Sequence, residues 1–366
     1  MAGPIVSMDC DVFRYRVGFA SQKRKYKVET PDGELLKGLF DNKTAAKEKF
    51  GKDMVAKGYK FHGKVKPDPK SHAFYSCKQQ IESVIKATGA RKIKMYLSGS
   101  QRDNFRINRG TFLPYKGGRL LEADRQPYIE RGEFLHAWQH YDKINAQPKP
   151  YHYDNLTEYL KTQWDSIEIH GMEADDELTI QQTKAWDWAK TKRNPERILR
   201  QRGHVVATID KDLQQAPGWY FDFRPDTQRA ADRPDWKFVN GVDANENLWK
   251  QVITGDMTDW IYGVEGYGSV KALEILRKHE PKDWEQVVKD TYELWWLDMA
   301  NKKEEDRTLF ERVLFENHNP TDYYQEVYDL IYLFRNYDEA NLKIAEVEKM
   351  QDEKNKKSTS TIKEGV

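Results

Sequence analysis

Apolar and polar positions along this chain follow two rhythms, short apolar runs and longer stretches of helical period. Pro4-Ile5-Val6-Ser7-Met8 reads as a buried strand that stops at Asp9-Cys10-Asp11. Residues 92–97 read as a second strand, with Ile93 and Met95 alternating against lysines, ended by Ser98-Gly99-Ser100. Ile167-Glu168-Ile169, residues 204–209 and residues 219–223 read as further strands. Residues 12–20, 76–88, 153–164, 174–192 and 197–202 read as helices, and Ile81, Val84 and Ile85 show the spacing. Strands and helices alternating in this way predict an α/β fold around a central, mostly parallel sheet. Residues 26–30 and 34–40, on either side of Pro31-Asp32-Gly33, predict a β-hairpin, and residues 42–57 are helical in composition. From Asp243 onward the chain reads as almost wholly helical and packed by aromatics, among them Trp284, Trp295, Trp296 and Phe310. Residues 120–143 read as a polar helix broken near Pro127, and Pro148-Lys149-Pro150 as a linker. The end of the chain predicts a fraying helix and a disordered tail.

Composition narrows this picture only in places. With 38% hydrophobic and 13% aromatic residues, the 366-residue chain can build an ordered core, whereas disorder is poor in aromatics. The net charge of +1 does not by itself point to nucleic acid, so charge distribution matters more. Residues 21–70 carry 14 Lys and Arg against seven Asp and Glu. This locally basic insertion either widens a nucleic-acid footprint or is a solvated lysine-rich face. Cys10 and Cys77 are the only cysteines, too few for a disulfide framework or a CxxC metal site, so a reducing, cytoplasmic setting is expected. The first residues lack the pattern of a signal peptide, no run approaches the ~20 apolar residues of a membrane span, and a monomer without membrane contact is expected.

The candidate chemistry lies in carboxylates. Beside Asp9 stand Glu173-Ala174-Asp175-Asp176 at a helix start, Asp210-Lys211-Asp212 after a strand, and Asp256 and Asp259, read as three apart on one helical face. Any one of these groups is more often a helix cap than a site, because the helix dipole favours acids at that end. Together they differ. The strands ending at Asp9 and Asp210 share an edge of the sheet if they are parallel, and open α/β sheets place their sites at that edge. So many like charges need compensation, and hard divalent cations with oxygen ligands provide it. Two such ions ~3.5–4 Å apart clamp the attacking and leaving oxygens of a phosphodiester. His170 and His204 flank these clusters and read as strand-edge or packing residues.

The ordered set Met8-Asp9, Tyr115-Lys116-Gly117-Gly118-Arg119, Glu173-Ala174-Asp175-Asp176, Asp210-Lys211-Asp212 and Gly255-Asp256-Met257-Thr258-Asp259 resembles the 5′ nucleases. That family includes flap endonucleases, phage 5′–3′ exonucleases and the 5′-nuclease domain of bacterial DNA polymerase. Residues 263–272 follow and look like the family's helix–turn–helix DNA clamp. The resemblance covers about residues 4–280. It implies a PIN-like nuclease core over 1–240, with the basic insertion at 21–70 and a helical arch region at 115–150. A helical DNA-binding and C-terminal region over 241–340 and a charged tail over 341–366 would follow. It implies two Mg²⁺ ions, with Mn²⁺ as the alternative. Asp9, Glu173 and Asp175 would serve one ion. Asp176, Asp210, Asp212, Asp256 and Asp259 would serve the other or its water shell. Lys116 and Arg119 would meet the scissile phosphate. Phe105, Arg106 and Tyr115 would contact DNA, the aromatics by stacking on an unpaired base. Gly263, Gly266, Gly268 and Lys271 would hold the backbone of DNA at a helix start. The implied partner is DNA with 5′ ends, flaps or single-strand/double-strand junctions, with an RNA–DNA hybrid as a variant.

One departure stands out: the family usually has an acid after the second strand, and Ser100 takes its place here, which implies a first metal held through more water. Two other readings stay open, a PIN-like ribonuclease removing RNA primers and a branched-DNA-binding protein with a decayed pocket.

Overall fold

The computed structural model describes residues 3–100, 104–113, 115–116, 149–224 and 235–363, with backbone alone at 351 and 353–363. Of the expected arch region over 115–150, residues 117–148 lie outside the described residues, and with them Gly117, Gly118, Arg119 and the helix expected over 120–143. In chain order the strands are β1 (Ile5–Asp9), β2 (Gln22–Glu29), β3 (Lys60–Pro67), β4 (Lys92–Ser98), β5 (Ile167–Ile169), β6 (His204–Ala207), β7 (Gly218–Phe221), β8 (Trp236–Val239), β9 (Gly255–Asp256) and β10 (Ile261–Tyr262).

The contacts define two compact units. One comprises Met1–Asp9, Thr88–Pro148 and Ile167–Val366; the other comprises Cys10–Ala87 and Lys149–Ser166. This division departs from the expected boundary near residue 240. The C-terminal helices belong to the same unit as the sheet because they share cores with it. Tyr96, Leu178, Val206 and Tyr220 pack with Leu333, and Phe105 and Ile180 pack with Phe334. The second unit is also wider than the expected 21–70 insertion, since it includes the helices Asp11–Ala20, Lys70–Thr88 (as far as Ala87) and Tyr153–Gln163.

The first unit is α/β. Its sheet runs in the order β5-β4-β1-β6-β7-β8, parallel throughout except for β8. β8 is the strand that the hydrophobic pattern did not signal. β1 is central, and Val6, Ser7 and Met8 are fully buried, as a strand covered on both faces requires. Ser7 is tolerated there because its hydroxyl donates to His204 Nε2 (2.7 Å), while His204 Nδ1–H donates to Gln182 Oε1 (2.6 Å). The helix Ala174–Ala189 packs on β1, β4 and β6.

Beyond the sheet, the helix Gly241–Thr254 starts at Asn240, whose side chain accepts from Val242 N and Asp243 N. The helix Trp284–Asn301 buries Trp284, Val288, Tyr292, Trp295 and Met299, spaced three or four apart, against the helix Pro320–Ile331. The helix Tyr337–Lys363 continues through the stretch where a disordered tail was expected.

In the second unit, β2 pairs antiparallel with β3 along its whole length. The expected partner, residues 34–40, pairs with β2 only at the isolated bridges Glu29↔Leu35 and Tyr26↔Phe40. Val28, Ala46 and Met54 form a small core there, with Phe40 and Phe61 packed against it. No helix among the described residues is long and apolar enough to cross a membrane.

Candidate active site

Parallel register brings the strand-end residues of the first unit to one edge. Met8 pairs with both Met95 and Ala207, so Asp9, the end of β4 and the Thr208-Ile209-Asp210 turn emerge side by side. Thr208 ties two of the acids together. Its hydroxyl donates to Asp9 Oδ2 (3.4 Å) and accepts the Asp210 N–H (3.0 Å). Asp210 Oδ1 in turn accepts the Asp212 N–H (2.8 Å), which folds the loop back on itself. The end of β4 holds the neighbouring helix start, for Ala174 N–H donates to Ser98 Oγ (3.0 Å). Glu173 therefore stands at the same edge as Asp9.

Glu173 is linked onward to Asp259. The Tyr115 hydroxyl lies 2.8 Å from Glu173 Oε2 and 3.1 Å from Asp259 Oδ2, a single hydrogen bridging two carboxylates. The Lys116 ammonium pairs with Glu173 and stands 3.9 Å from Asp259, while Lys116 N–H donates to the Asp259 carbonyl (2.7 Å). Lys116 holds a left-handed backbone (φ 61), a conformation that costs a side-chain-bearing residue about 1 kcal/mol. Strain of this kind gathers where geometry is over-determined.

Charge follows this geometry. Burial resists ionisation of Glu173, but Lys116, Arg106 and the Tyr115 hydroxyl outweigh it and hold the carboxyl at about 2. Burial, reinforced by Glu173 and Asp259, pushes the Tyr115 phenol well above its usual range, so it stays a neutral donor. On the other side of the cluster the acids have too little positive charge. Burial, then Asp210 and Asp256, pushes Asp212 up to about 7, and Asp210 is raised by burial and by Asp256 and Asp259. Asp210 and Asp212 act as one electrostatic group with two of the acids that follow helix Gly241–Thr254.

Asp256 and Asp259 reach this group by a route that differs from expectation. They do not share a helical face. The helix stops at Thr254, Gly255 takes φ 69, and β9 and β10 form a tight hairpin with Asp256 at the end of β9 and Asp259 in the turn. Asp256 Oδ1 accepts the Thr258 N–H (2.8 Å) and shapes that turn.

Other predicted residues fall elsewhere. Asp176 is fully buried. Its oxygens accept from Arg106 Nη1 (2.6 Å), Arg106 Nη2 (2.8 Å), Glu173 N–H (3.0 Å) and Phe334 N–H (3.3 Å), which leaves it no coordination to spare. Arg106 is likewise buried and donates to the carbonyls of Leu330 (3.0 Å) and Tyr332 (2.8 Å), so it is a core cation and not a DNA contact. Phe105 packs against Phe334 in the core, and Tyr115 is buried on its carboxylates, so neither ring is open for stacking on a base. Asp175 is half-buried at the helix start. Gly263 is needed for packing, because a Cβ there would stand 2.1 Å from the Ile253 carbonyl oxygen. Gly266 (φ 77) and Gly268 have open space around them and lead into the helix Ser269–Leu276, where Lys271 lies over the Tyr267 ring.

Sequence reasoning missed the clasp beneath Tyr115 and Lys116. Glu326 accepts from Thr111 N (2.9 Å), Phe112 N (3.0 Å) and the Thr111 hydroxyl, and Asp329 accepts from Arg109 Nε (2.6 Å). The available signal was acids lying on the otherwise apolar face of the helix Pro320–Ile331.

Among the described residues, no three His, Cys, Asp or Glu side chains converge as a ready-made metal cage. The donor set of carboxylates nevertheless suits a hard divalent cation, which takes oxygen ligands and can complete its shell with waters. The surplus negative charge around Asp210 and Asp212 is the matching electrostatic feature.

No protein-family model and no curated protein sequence matches the chain. Among solved structures, the chain is similar to the T5 D15 protein co-crystallised with metal ions, at 15% identity and a TM-score of 0.42, covering 94% of this chain and 99% of that one. It is similar to the T5 5′-exonuclease with bound zinc at 18% identity and a TM-score of 0.40, over 75% and 90% of the two chains. A third similarity is to the catalytic core of Rad2 in complex with a DNA substrate, at 11% identity and a TM-score of 0.37, over 94% and 87%. These are loose superpositions at low identity, spanning most of each chain.

Proposed function

We propose that the chain is a divalent-metal-dependent 5′ nuclease that hydrolyses DNA phosphodiesters at or near 5′ ends, as an exonuclease, a flap endonuclease or both, in phage DNA replication, repair or degradation. The observation that carries this reading is the joining of Asp210, Asp212, Asp256 and Asp259 into one under-neutralised acidic group, beside a lysine already bridged to Glu173 and Asp259. Asp9, Asp175, Asp210, Asp212, Asp256 and Asp259, with Glu173, would hold two Mg²⁺ ions, leaving Asp176 to the core. Bound ions supply Lewis-acid stabilisation of the phosphoryl oxygens and a water activated at neutral pH.

The chain's own groups do the positioning. Thr208 orients Asp9 and Asp210, and Tyr115 keeps Glu173 and Asp259 at a set separation. Lys116 can exchange a carboxylate partner for a phosphate oxygen and offset the charge that develops during displacement. The open approach at Gly266 and Gly268 and the amides that start the helix Ser269–Leu276 would hold a phosphate further along the strand.

The test is cleavage of a 5′-labelled flap DNA with and without Mg²⁺, for the natural protein and Asp210→Asn. Mg²⁺-dependent cleavage should fall at least ~100-fold in the variant, while affinity for the DNA in EDTA stays within a few-fold. Undiminished cleavage by Asp210→Asn removes the acidic group from the chemistry. Tight binding without Mg²⁺-stimulated cleavage by the natural protein would point to a binding protein with a decayed pocket.

A further inference from the structure

The β2–β3 ribbon of the second unit sorts its residues into two unlike faces. In an antiparallel pair, residues directly opposite each other project to the same side. The register sets Arg24 opposite Val65, Tyr26 opposite Gly63 and Val28 opposite Phe61 on one side, where the Val28–Phe61 end belongs to a small core and Val65 is exposed. The other side sets Lys23 opposite Lys66, Lys25 opposite Lys64 and Lys27 opposite His62. Its one acid, Glu29, lies at the far end and pairs with His62 (2.6 Å) and Lys60 (3.4 Å). Lys25 stands 3.3 Å from the exposed Asp41. Lys23, Lys27, Lys64 and Lys66 make no ion pair with a described residue.

Lysine facing lysine twice across one ladder works against the ribbon, because like charges directly opposite are destabilising. An exposed arrangement of this kind gains when a polyanion covers it. Successive lysines on the face are ~7 Å apart along each strand, set by the rise of an extended chain, and the facing strand repeats them ~5 Å away. The result is a regular, twisted array of positive charges. It carries no Asn, Gln or Arg that would read base edges, since Arg24 points to the other side. It suits a partner with closely repeated charge and needs no particular sequence.

We propose that this lysine face binds the phosphate backbone of duplex DNA, as a contact additional to the carboxylate site. The choice of DNA as the polyanion rests on the nuclease reading above; the one-sided charge of the ribbon does not.

The test measures the affinity of the full chain for a fluorescent duplex in EDTA across a salt series. The variants are K23Q/K27Q/K64Q/K66Q, the charge-retaining K23R/K27R/K64R/K66R, and a control quartet at exposed lysines elsewhere, K86Q/K92Q/K190Q/K303Q, with the same change in net charge. Each phosphate contact adds about 0.9 to the slope of log affinity against log salt. The glutamine ribbon variant should lose at least ~10-fold in affinity and about 2–4 in slope, while the arginine and control variants stay near the natural protein. Its thermal midpoint should match or exceed that of the natural protein, because the facing positive charges are gone. The inference is overturned if the glutamine variant binds within twofold with an unchanged slope, as a face meant for an acidic protein would, or if the control quartet loses as much. Mg²⁺-dependent cleavage is scored separately on the natural protein, so absent cleavage with a lysine-dependent slope would sink the nuclease reading and leave the DNA-binding face standing.

Discussion

Replacing Arg106 by Met separates a core role from a DNA-contact role. In the native protein the guanidinium makes two bonds to Asp176 and one each to the carbonyls of Leu330 and Tyr332, all away from water. Arg106→Met leaves Asp176 as a buried charge held only by the amides of Glu173 and Phe334. Breaking a buried pair by removing one partner costs about 3–5 kcal/mol. The two carbonyls left without a donor add to this, so about 4 kcal/mol or more is expected, a large part of the about 5–15 kcal/mol that holds a typical protein folded. Asp176→Leu should cost about as much by stranding the guanidinium. The double variant should be about 2–4 kcal/mol more stable than the sum of the single losses predicts, because neither charge remains. Urea unfolding followed by tryptophan fluorescence gives the stabilities, and anisotropy with a labelled duplex gives DNA affinity. The reasoning is refuted if Arg106→Met unfolds within about 1 kcal/mol of the natural protein. If it also binds DNA more weakly, the arginine works at the DNA surface after all.

Further outcomes follow from the same structure. Lys116→Ala should slow single-turnover cleavage of a saturating flap substrate by roughly 100-fold, in line with losing one charged stabiliser, with little change in substrate affinity; an unchanged rate excludes Lys116 from the reaction. His204 is held neutral by burial, which lowers its pKa to about 3. The unfolded chain takes up this proton near pH 6.5, so stability falls as pH drops from about 6.5 towards 3, by up to about 1.4 kcal/mol per pH unit. His204→Gln should flatten this slope relative to the natural protein in urea unfolding between pH 7 and 5, and parallel pH profiles would contradict the assignment.

Much of the architecture was legible from local pattern. The strands around Val6 and Val206 and the acids that end or follow them could be read because burial on both faces imposes a mainly apolar run, and the strand around Met95 because Ile93 and Met95 alternate with lysines. The chain must then turn into a loop at the sheet edge, and the strand-end position of Asp9 and Asp210 follows. What the pattern could not reveal was pairing between groups far apart in sequence. Arg106 and Asp176 look like surface charges until the fold removes water from both. Tyr115 looks like a stacking ring until its hydroxyl meets Glu173 and Asp259. Asp256 and Asp259 suit a helix by spacing, but Gly255 takes a positive φ and β9 closes on β10. Local sequence sets which residues are buried in an element and where that element ends, since those depend on neighbours along the chain. Which charge compensates which is decided only by the tertiary fold, because Coulomb and desolvation energies depend on distance in space and on the exclusion of water.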